Sequence, residues 1–335
     1  MKLTVRTKDR TYPVYIERGI LTRAAEIIGR SGHVFLISDD GVPVQWQSIL
    51  QKQYPQAHMH IFPHGEENKN MTVLQDILAD MLDHHVSRND TVIVLGGGVA
   101  GDMGGFAAAC YMRGIRYVNI PTTTLSMIDS SIGGKTAVDL HGHKNSVGAF
   151  WQPDMVLIDP DTLSTLPKRH VVNGLAEAVK EGMICDEKLF AVFEKDDYMD
   201  HLDEIICRCL EIKRDIVERD ERESGERKLL NFGHTFGHAY ESVSGLHAYL
   251  HGECVAMGMM TVLADEEIRA RLRKVLERMG LPVRCQADPQ EVMRMIRTDK
   301  KADHDTISLI QVHQIGKGTI ETWTMEETER KLHYE

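Results

Sequence analysis

The sequence has little positive charge, and this shortage excludes two classes of partner. Its 39 Lys and Arg residues are outnumbered by 50 Asp and Glu residues, which leaves a formal net charge of −11. Nucleic acids and anionic membrane surfaces attract proteins through a basic face. The composition therefore predicts no nucleic-acid partner and no membrane partner. An anionic small molecule would need Lys and Arg residues that cluster locally.

Paired cysteines and long apolar runs are also missing. The six cysteines are scattered and form no C-x-x-C pair, so structural disulfides are not expected. The first ten residues, MKLTVRTKDR, carry five charges and lack the apolar core of a signal peptide. The longest stretch of apolar and glycine residues, 92–101, is far shorter than the ~20 residues of a membrane-spanning helix. We therefore expect a soluble cytoplasmic protein.

The length of 335 residues predicts about two domains of ordinary size. In the first half, strand candidates alternate with helical periodicity, a pattern typical of a parallel, Rossmann-like sheet covered on both faces. The strand candidates are residues 3–5, 12–16, 33–38, 58–62, 91–95, 117–120 and 155–158. From about residue 167 to 296 the periodicity is almost entirely helical, with a late hairpin candidate at 308–323. We predict an α/β domain at residues 1–165 and a mostly α-helical domain at 166–335.

A glycine-rich turn, VLGGGVAGDMGG, joins the strand candidate TVIVL to a helix candidate at 101–112. Gly96, Gly98 and Gly101 satisfy the G-x-G-x-x-G pattern, in which free N–H groups at a helix start attract phosphate. A turn that merely requires glycine gives the same pattern. The next strand ends in PTT, without the acidic residue that usually holds the ribose of a dinucleotide. The nearest acids are Asp39 and Asp102, so a dinucleotide would be held in a non-standard way.

A polar segment, PTTTLSMIDSSIGGKTAVD at residues 121–139, has few charges for its length. An ordinary exposed connection is one interpretation, but it would carry more charge and more proline, and long loops inside compact domains are usually functional. Lys135 lies in the segment, and Lys144 and Asn145 follow it shortly. These three side chains would suit an anionic group. We predict a functional loop.

Two histidines, His234 and His238, are four residues apart in NFGHTFGHAY and would share one face of a helix. His251 follows seventeen residues after His234, and Glu177 lies upstream on a helix candidate. Two imidazoles and one carboxylate from three helices match the three-ligand pattern of a catalytic zinc site, which keeps a fourth position open. Surface or core histidines would give the same spacing.

Five long motifs run through nearly the whole chain. They are GGGVAGDMGGFAAACYMR (96–113), PTTTLSMIDSSIGGKTAVDLHGHKN (121–145), GLAEAVKEGMI (174–184), LLNFGHTFGHAYE (229–241) and HGECVAMGMM (251–260). Together they closely resemble the 3-dehydroquinate synthase family. The resemblance implies a carbon–oxygen lyase of the shikimate pathway that converts 3-deoxy-D-arabino-heptulosonate 7-phosphate to 3-dehydroquinate and phosphate, on the route to chorismate and the aromatic amino acids.

The implied reaction runs through transient oxidation by NAD, phosphate elimination, reduction, ring opening and intramolecular aldol closure. The implied cofactors are NAD and one divalent metal, zinc or cobalt. The metal ligands would be Glu177, His234 and His251, and His238 would face the substrate. The other implied substrate residues are Asp129, Lys180 and Asn231 for hydroxyls, Lys213 and Arg227 for the carboxylate, and Arg113, Lys135, Asn145 and Lys300 or Lys301 for the phosphate. The implied NAD-binding residues are Asp39, Glu66, Lys69, Gly97, Gly98, Asp102, Thr122, Thr123, Lys135, Lys144 and Thr165.

The resemblance also implies an arrangement of the chain. Residues 1–165 would bind NAD, residues 166–335 would bind metal and substrate, and the active site would lie in the cleft between the two domains. A homodimer is implied, in which Arg113 reaches the neighbouring site. Lys213 could instead belong to a solvated, salt-bridged helix face.

Three other functions fit parts of the sequence. A related sugar-phosphate cyclase could make 2-deoxy-scyllo-inosose or an epi-valiolone, and a metal-dependent polyol dehydrogenase has a similar glycine turn. A non-catalytic protein could keep the same fold. Asp129, Lys135 and Asn231 favour the 3-dehydroquinate synthases over the other cyclases, and the cluster of phosphate-binding candidates disfavours a polyol dehydrogenase.

Overall fold

The computed structural model describes residues 1–8, 10–29, 32–245, 248–298, 302–303 and 305–333. These residues form two compact units, Met1–Pro167 with Lys213–Glu218 and Lys168–Ile212 with Arg219–Glu335. The division follows Pro167, whereas the boundary predicted from the sequence follows residue 165. The short segment Lys213–Glu218 groups with the first unit although its neighbours in sequence belong to the second.

The first unit contains a seven-stranded sheet and a separate two-stranded hairpin. Its described strands are Lys2–Arg6 (β1), Thr11–Ile16 (β2), Val34–Asp39 (β3), His58–Phe62 (β4), Thr91–Gly96 (β5), Arg116–Pro121 (β6), Lys135–Leu140 (β7), His143–Phe150 (β8) and Met155–Ile158 (β9). The order in the large sheet is β1-β2-β9-β6-β5-β3-β4. β1 and β2 pair antiparallel, and the other strands of this sheet pair parallel. The predicted mostly parallel α/β sheet is confirmed.

The central strands β3 and β5 are buried along their whole length. Because side chains alternate along a strand, Val92 and Val94 of β5 enter one core cluster and Ile93 and Leu95 enter the other. The helices of the unit are Ala24–Ile28 (α1), Val44–Gln53 (α2), Met71–Asp83 (α3) and Gly98–Cys110 (α4). Residues of α3 and α4 complete the first cluster, and residues of α1 and α2 complete the second.

The second unit is mostly helical, as predicted. Its helices are Lys168–Cys185 (α5), Glu187–Phe193 (α6), Leu202–Arg219 (α7), His234–Ser244 (α8), His251–Val262 (α9), Glu266–Met279 (α10), Pro289–Thr298 (α11) and Met325–His333 (α12). Within α7, Lys213–Glu218 groups with the first unit. A three-stranded antiparallel sheet consists of Ala302–Asp303 (β10), Thr306–Gln314 (β11) and Lys317–Thr324 (β12). The last two strands form the predicted late hairpin.

The polar segment at residues 121–139 is more ordered than predicted. Ser126–Ser130 form one turn of π-helix, and Lys135–Leu140 pairs with His143–Phe150 as a hairpin. The loop prediction was therefore wrong for part of this segment. The glycines at 133, 134 and 142 flank β7 and are typical of a loop, and the partner strand β8 is mostly exposed, so its sequence lacks a clear alternation of apolar and polar side chains.

In the described part of the chain, no helix is long and apolar enough to cross a membrane. All six cysteines are free thiols.

Candidate active site

Three helices of the second unit bring Glu177, His234 and His251 together. Glu177 lies in the middle of α5, whereas the two histidines are the first residues of α8 and α9. The ligand-capable atoms of the three side chains all lie within 4.8 Å of one another. The local order of the sequence, with a histidine opening each of two packed helices, places both imidazoles beside the same carboxylate.

Glycines allow these helices to approach through their backbones. A Cβ atom on Gly258 of α9 would lie 2.0 Å from the carbonyl oxygen of Gly233, the residue before α8. A Cβ atom on Gly252 would lie 1.9 Å from the carbonyl oxygen of Asn173 in α5. The Gly252 N–H also donates a hydrogen bond to the Asn173 side chain at 2.7 Å. The start of α9 is therefore fixed against both α5 and α8, which positions His251.

One oxygen of Glu177 faces both imidazoles. The Oε1 atom is 3.7 Å from Nε2 of His234 and 3.6 Å from Nε2 of His251, beyond hydrogen-bond distance. Glu177 is 1 % exposed, and its Oε1 atom is buried without a hydrogen-bond partner. Buried carboxylate oxygens are normally paired. Two imidazole nitrogens and an orphaned carboxylate oxygen fit the donor set of a divalent cation such as Zn²⁺.

Neighbouring groups orient two of these three ligands. The Lys180 ammonium donates to Oε2 of Glu177, which leaves Oε1 directed at the imidazoles. The carbonyl oxygen of Phe232 lies 3.2 Å from Nδ1 of His234. That contact favours a proton on Nδ1, so the lone pair of Nε2 faces Glu177.

The charges of the three ligands differ. Burial would raise the pKa of Glu177, but Lys180, His234 and His251 together hold that pKa well below its ordinary value. Burial lowers the pKa of His234 well below its ordinary value. Burial would likewise lower the pKa of His251, but Glu177 and Glu241 raise it to about 10. Glu241 lies 3.8 Å from Nδ1 of His251.

A third imidazole belongs to the same surface. His238 is exposed on α8, and its ring centroid is 5.2 Å from that of His234 and 5.9 Å from that of His251. The predicted helical pair is thus present. An exposed imidazole beside a metal-ligand set is suited to hydrogen bonding or proton exchange with a bound molecule.

The loop before α8 carries two more of the predicted residues. Asp220 accepts hydrogen bonds from three backbone N–H groups, including that of Arg227 at 3.0 Å. Burial would raise the pKa of Asp220, but these backbone hydrogen bonds lower it to about 2. The Arg227 guanidinium is buried and donates to the carbonyl oxygen of Glu221. Asn231 donates to the side chain of Glu223 at 2.5 Å.

In the first unit, Lys213 pairs with Asp129. The Lys213 ammonium lies 2.7 Å from Oδ1 of Asp129 and also contacts its carbonyl oxygen. Lys213 is only 5 % exposed. A position on a solvated helix face is therefore wrong for Lys213. Lys213 was predicted to contact the substrate carboxylate and Asp129 a substrate hydroxyl, and in this structure the two side chains contact each other.

Several predicted NAD-binding residues also meet in the first unit. The Lys69 ammonium lies 2.5 Å from Asp102 and 2.5 Å from the amide oxygen of Asn145, and it is 4.0 Å from Glu66. Lys144 lies 3.9 Å from Glu66. Burial would lower the pKa of Lys69, but the Asp102 and Glu66 carboxylates raise it. Asn145, predicted to contact the substrate phosphate, is therefore in the same cluster as residues predicted to contact NAD.

The glycine turn lies where parallel strands end. Gly97 precedes α4, and a Cβ atom there would lie 3.0 Å from the methyl carbon of Thr123. A Cβ atom on Gly96 would lie 3.1 Å from the carboxylate of Asp39 at the end of β3. The Thr122 N–H donates to the carbonyl oxygen of Gly96 at 2.9 Å. The carboxyl ends of β3, β5 and β6 thus meet around a helix N-terminus, the usual position of a dinucleotide site.

The remaining predicted residues are more dispersed. Arg113 is exposed, with a left-handed backbone at φ 68°, and Lys135 is exposed at the start of β7. The Thr165 hydroxyl accepts a hydrogen bond from the Trp46 indole at 2.8 Å. Lys300 and Lys301 lie outside the described residues.

Comparison with known families agrees with this arrangement. The family described as 3-dehydroquinate synthase N-terminal matches residues 59–173, and the family described as 3-dehydroquinate synthase C-terminal matches residues 174–302. The chain belongs to the 3-dehydroquinate synthase family. The predicted identity of the family and the predicted activity, a lyase step of the shikimate pathway, are confirmed.

Curated 3-dehydroquinate synthases match the chain over nearly its full length. The protein from Thermoanaerobacter pseudethanolicus is 39 % identical over 97 % of this chain and 98 % of its own length. The protein from Rhodopirellula baltica is 40 % identical over 92 % of this chain and 90 % of its own length.

Solved structures of related cyclases share the fold. The 2-epi-5-epi-valiolone synthase from Streptomyces hygroscopicus, with NAD+ and Zn2+ bound, is 28 % identical, with a TM-score of 0.87 over 98 % of both chains. A 2-deoxy-scyllo-inosose synthase complexed with carbaglucose-6-phosphate, NAD+ and Co2+ is 24 % identical, with a TM-score of 0.91 over 100 % of both chains. NAD and one divalent metal, the cofactors predicted for this chain, are the cofactors bound in these two related structures. The individual residue roles stay predictions.

Three positioning residues were missed at the sequence level. They are Glu241, which faces His251, Asp220, which organises the loop of Arg227, and Asn173, which holds the start of α9. Glu241 lies three residues after His238 in the same motif, so an acid near a ligand histidine was an available signal. The other two act through backbone contacts, which no residue pattern predicts.

Proposed function

We propose that the chain converts 3-deoxy-D-arabino-heptulosonate 7-phosphate to 3-dehydroquinate and phosphate by transient oxidation with NAD, phosphate elimination, reduction, ring opening and aldol closure. The observation that carries this proposal is the convergence of Glu177, His234 and His251 around a buried carboxylate oxygen that lacks a hydrogen-bond partner. Membership of the family supplies the substrate and the order of steps.

Glu177, His234 and His251 would hold one divalent cation, zinc or cobalt. Such a cation would favour loss of the proton from a bound hydroxyl, which prepares the carbon that bears this hydroxyl to transfer its hydrogen as hydride. Lys180 keeps Glu177 ionised and oriented for this role. We assign His238, exposed beside the ligands, to hydrogen bonding or proton exchange with the substrate.

We assign NAD to the cluster at the ends of the parallel strands, where it would accept a hydride and later return it. The proposed contacts are Asp39, Gly97, Gly98, Thr122, Thr123 and Thr165 at the glycine turn and its surroundings, and Glu66, Lys69, Asp102, Lys135 and Lys144 beyond it. The approach of backbone N–H groups at the start of α4 supports a pyrophosphate position there. In this proposal, Glu66, Lys69 and Asp102 take the place of the acidic residue that usually holds the ribose. Their carboxylates offer hydrogen-bond acceptors, and the Lys69 ammonium offers donors.

The substrate anions would be bound by cations that have local partners in this structure. Lys213 and Arg227 are proposed for the carboxylate, and Arg113, Lys135 and Asn145, with Lys300 or Lys301, for the phosphate. Lys213 is paired with Asp129, so substrate would exchange that ion pair for contacts of its own, with Asp129 released toward a hydroxyl. The prediction that the active site lies in a cleft between the two units stays a prediction.

We further propose a homodimer in which Arg113 serves the neighbouring site. Met112 and Arg113 both have left-handed backbones, with φ 49° and 68°, which is a strained conformation for residues other than glycine. The Arg113 side chain is exposed, so packing within the chain does not explain this strain, which supports a role for Arg113 in contact with a partner. We propose a cytoplasmic location because free cysteines are typical of a reducing compartment.

One assay tests the proposed reaction. The purified chain, NAD and Zn²⁺ are mixed with the heptulosonate phosphate, and phosphate and dehydroquinate are measured together. We expect the two products in equal amounts, with no net change in NADH because the same nicotinamide is reduced and reoxidised. A parallel reaction contains glucose 6-phosphate in place of the heptulosonate phosphate, and turnover there would indicate an inosose-forming cyclase. Lasting accumulation of NADH would indicate a polyol dehydrogenase.

A further inference from the structure

A second cluster of metal-binding side chains lies in the first unit. His58 and His60 are two residues apart on β4 and therefore share one face of that strand, whereas Asp80 and His84 are four apart at the end of α3. All three imidazoles contact the one carboxylate. The distances to Asp80 are 2.8 Å for Nε2 of His58, 2.6 Å for Nδ1 of His60 and 2.9 Å for Nδ1 of His84.

The chemistry of this cluster suits a transition-metal cation. One ligand-capable atom each from His58, Asp80 and His84 lies within 4.8 Å of the others. Imidazole and carboxylate together are a preferred donor set for Zn²⁺. None of these four residues belongs to the sites described above.

The geometry points to a second divalent-cation site, and we propose that His58, Asp80 and His84 bind Zn²⁺ there, with His60 as a fourth ligand or as a hydrogen-bond donor to Asp80. The rings of His58 and His84 stack with centroids 3.6 Å apart and planes 16° apart, so their in-plane lone pairs do not yet meet at one point. His84 follows the last turn of α3 and is 39 % exposed. Binding one shared ion would require the His84 ring to turn away from its contacts with Asp80 and with the ring of His58.

A cation at this site would tie two elements together. β4 is the edge strand of the sheet, and α3 follows it after the segment that carries Glu66 and Lys69. A bond through one ion to both elements would hold the start of β4 against the end of α3. The proposal stands independently of the proposed function, because all of its ligands are distinct from Glu177, His234 and His251.

Zinc stoichiometry tests the proposal. The full chain is freed of metal with a chelator and dialysed against a buffer that fixes free Zn²⁺ in the micromolar range, and bound zinc per chain is measured by mass spectrometry. We expect two zinc ions for the native chain and one for Asp80→Asn. His84→Asn, which changes an exposed residue, should lower the zinc affinity of the proposed site at His58, Asp80 and His84 by at least about tenfold.

Two controls separate this site from the catalytic one. His313→Ala removes a similar exposed histidine, 2.7 Å from Glu321, and should leave both zinc ions bound. His251→Ala should lose the other ion and keep the ion at Asp80. An Asp80→Asn chain, folded by circular dichroism, that binds as much zinc as the native chain would overturn the proposal. The native chain could instead bind a single zinc ion that is lost in Asp80→Asn and kept in His251→Ala. That result would uphold the site at Asp80 and contradict the proposed catalytic site.

Discussion

Each oxygen of Glu177 faces a different neighbour. Oε2 accepts from the Lys180 ammonium, while Oε1 lies between two imidazoles at distances too long for hydrogen bonds. Burial of a carboxylate costs free energy unless the group is paired. Here the Lys180 ammonium pairs with one of the two carboxylate oxygens, Oε2. Oε1 is the oxygen that remains available to the proposed cation.

Glu241 gives the first prediction at the residue scale. Its carboxylate faces Nδ1 of His251, the arrangement in which an acid orients a ligand imidazole and raises its basicity. Glu241→Gln should lower the affinity for Zn²⁺ at the Glu177 site by about 10- to 100-fold. Excess Zn²⁺ should restore most of kcat, because no residue proposed to touch substrate is changed. Calorimetric titration and zinc-dependent activity measure the two effects.

Glu321→Gln is the matched control, since Glu321 pairs with a histidine, His313, that is not a proposed ligand. It should leave both zinc affinity and activity unchanged. If Glu241→Gln also leaves zinc affinity unchanged, the carboxylate of Glu241 has no role in orienting His251.

Asp220 gives a prediction on pH. Its folded pKa of about 2 lies below the unfolded value of about 3.9, so the stabilisation is fully present above that unfolded value and is lost as the pH falls toward 2. Asp220→Asn should lower the free energy of unfolding by about 1 kcal/mol at pH 7. The difference from the native chain should shrink below about pH 4. Urea titrations at pH 7, 4 and 3 measure this difference, and a difference that grows on acidification would contradict the sign.

At the scale of elements, the contact of α8 with α9 depends on glycine. A Cβ atom on Gly258 would lie 2.0 Å from one backbone oxygen and 2.7 Å from the backbone nitrogen of Gly237, and neither group can rotate away. Gly258→Ala should therefore force the helices apart. We expect a loss of about 1–3 kcal/mol of unfolding free energy together with weaker zinc binding, because His251 would move relative to His234.

Gly280→Ala separates these two effects. Gly280 ends α10 with φ 77°, and a Cβ atom there would contact nothing within 4 Å. This variant should lose about 1 kcal/mol through backbone strain and keep its zinc affinity. Equal zinc affinities in both variants would mean that helix spacing does not set the geometry of the ligands.

Strands buried on at least one face could be predicted from the sequence. Residues 91–95 form a continuous apolar run, and residues 12–16 alternate, so both gave the correct element. The hairpin of β7 and β8 could not be predicted in the same way. Most of β8 is exposed, and glycines at 133, 134 and 142 are equally typical of a loop.

The candidate site shows a similar limit. The ligand set depended on matching whole motifs, because the spacing of His234, His238 and His251 alone allows several roles. The contact of Lys69 with Asn145 joins residues 76 positions apart and assembles only in the fold. The pairing of Lys213 with Asp129, 84 positions apart, is non-local for the same reason.

At the scale of the whole molecule, an acidic chain must bind an anionic substrate. The net charge of −11 opposes long-range attraction, so binding depends on local cations. Lys69, Lys213 and Arg227 are buried, and each donates to a carboxylate or carbonyl oxygen nearby. The protein thus keeps cations in its interior at the proposed sites, where solvent and salt screen them weakly.

The proposed exchange of Arg113 between subunits can be tested by mixing two inactive variants. Arg113→Ala lacks the donated guanidinium and His251→Ala lacks a metal ligand, so each homodimer should be nearly inactive. In a mixed dimer, the site with an intact His251 receives Arg113 from its partner. After unfolding and refolding of an equal mixture, we expect about a quarter of native activity.

A mixture that stays inactive, although labelled subunits demonstrate that mixed dimers have formed, would mean that Arg113 acts within its own chain. A chain that sediments as a monomer at assay concentration would contradict the dimer itself.

Anomalous X-ray scattering at the zinc edge, from crystals grown with Zn²⁺, would show whether Glu177, His234 and His251 bind one metal ion. We expect a peak about 2.0–2.2 Å from a carboxylate oxygen of Glu177 and from Nε2 of both His234 and His251. Full zinc occupancy elsewhere in the chain, with no peak among these three side chains, would contradict it.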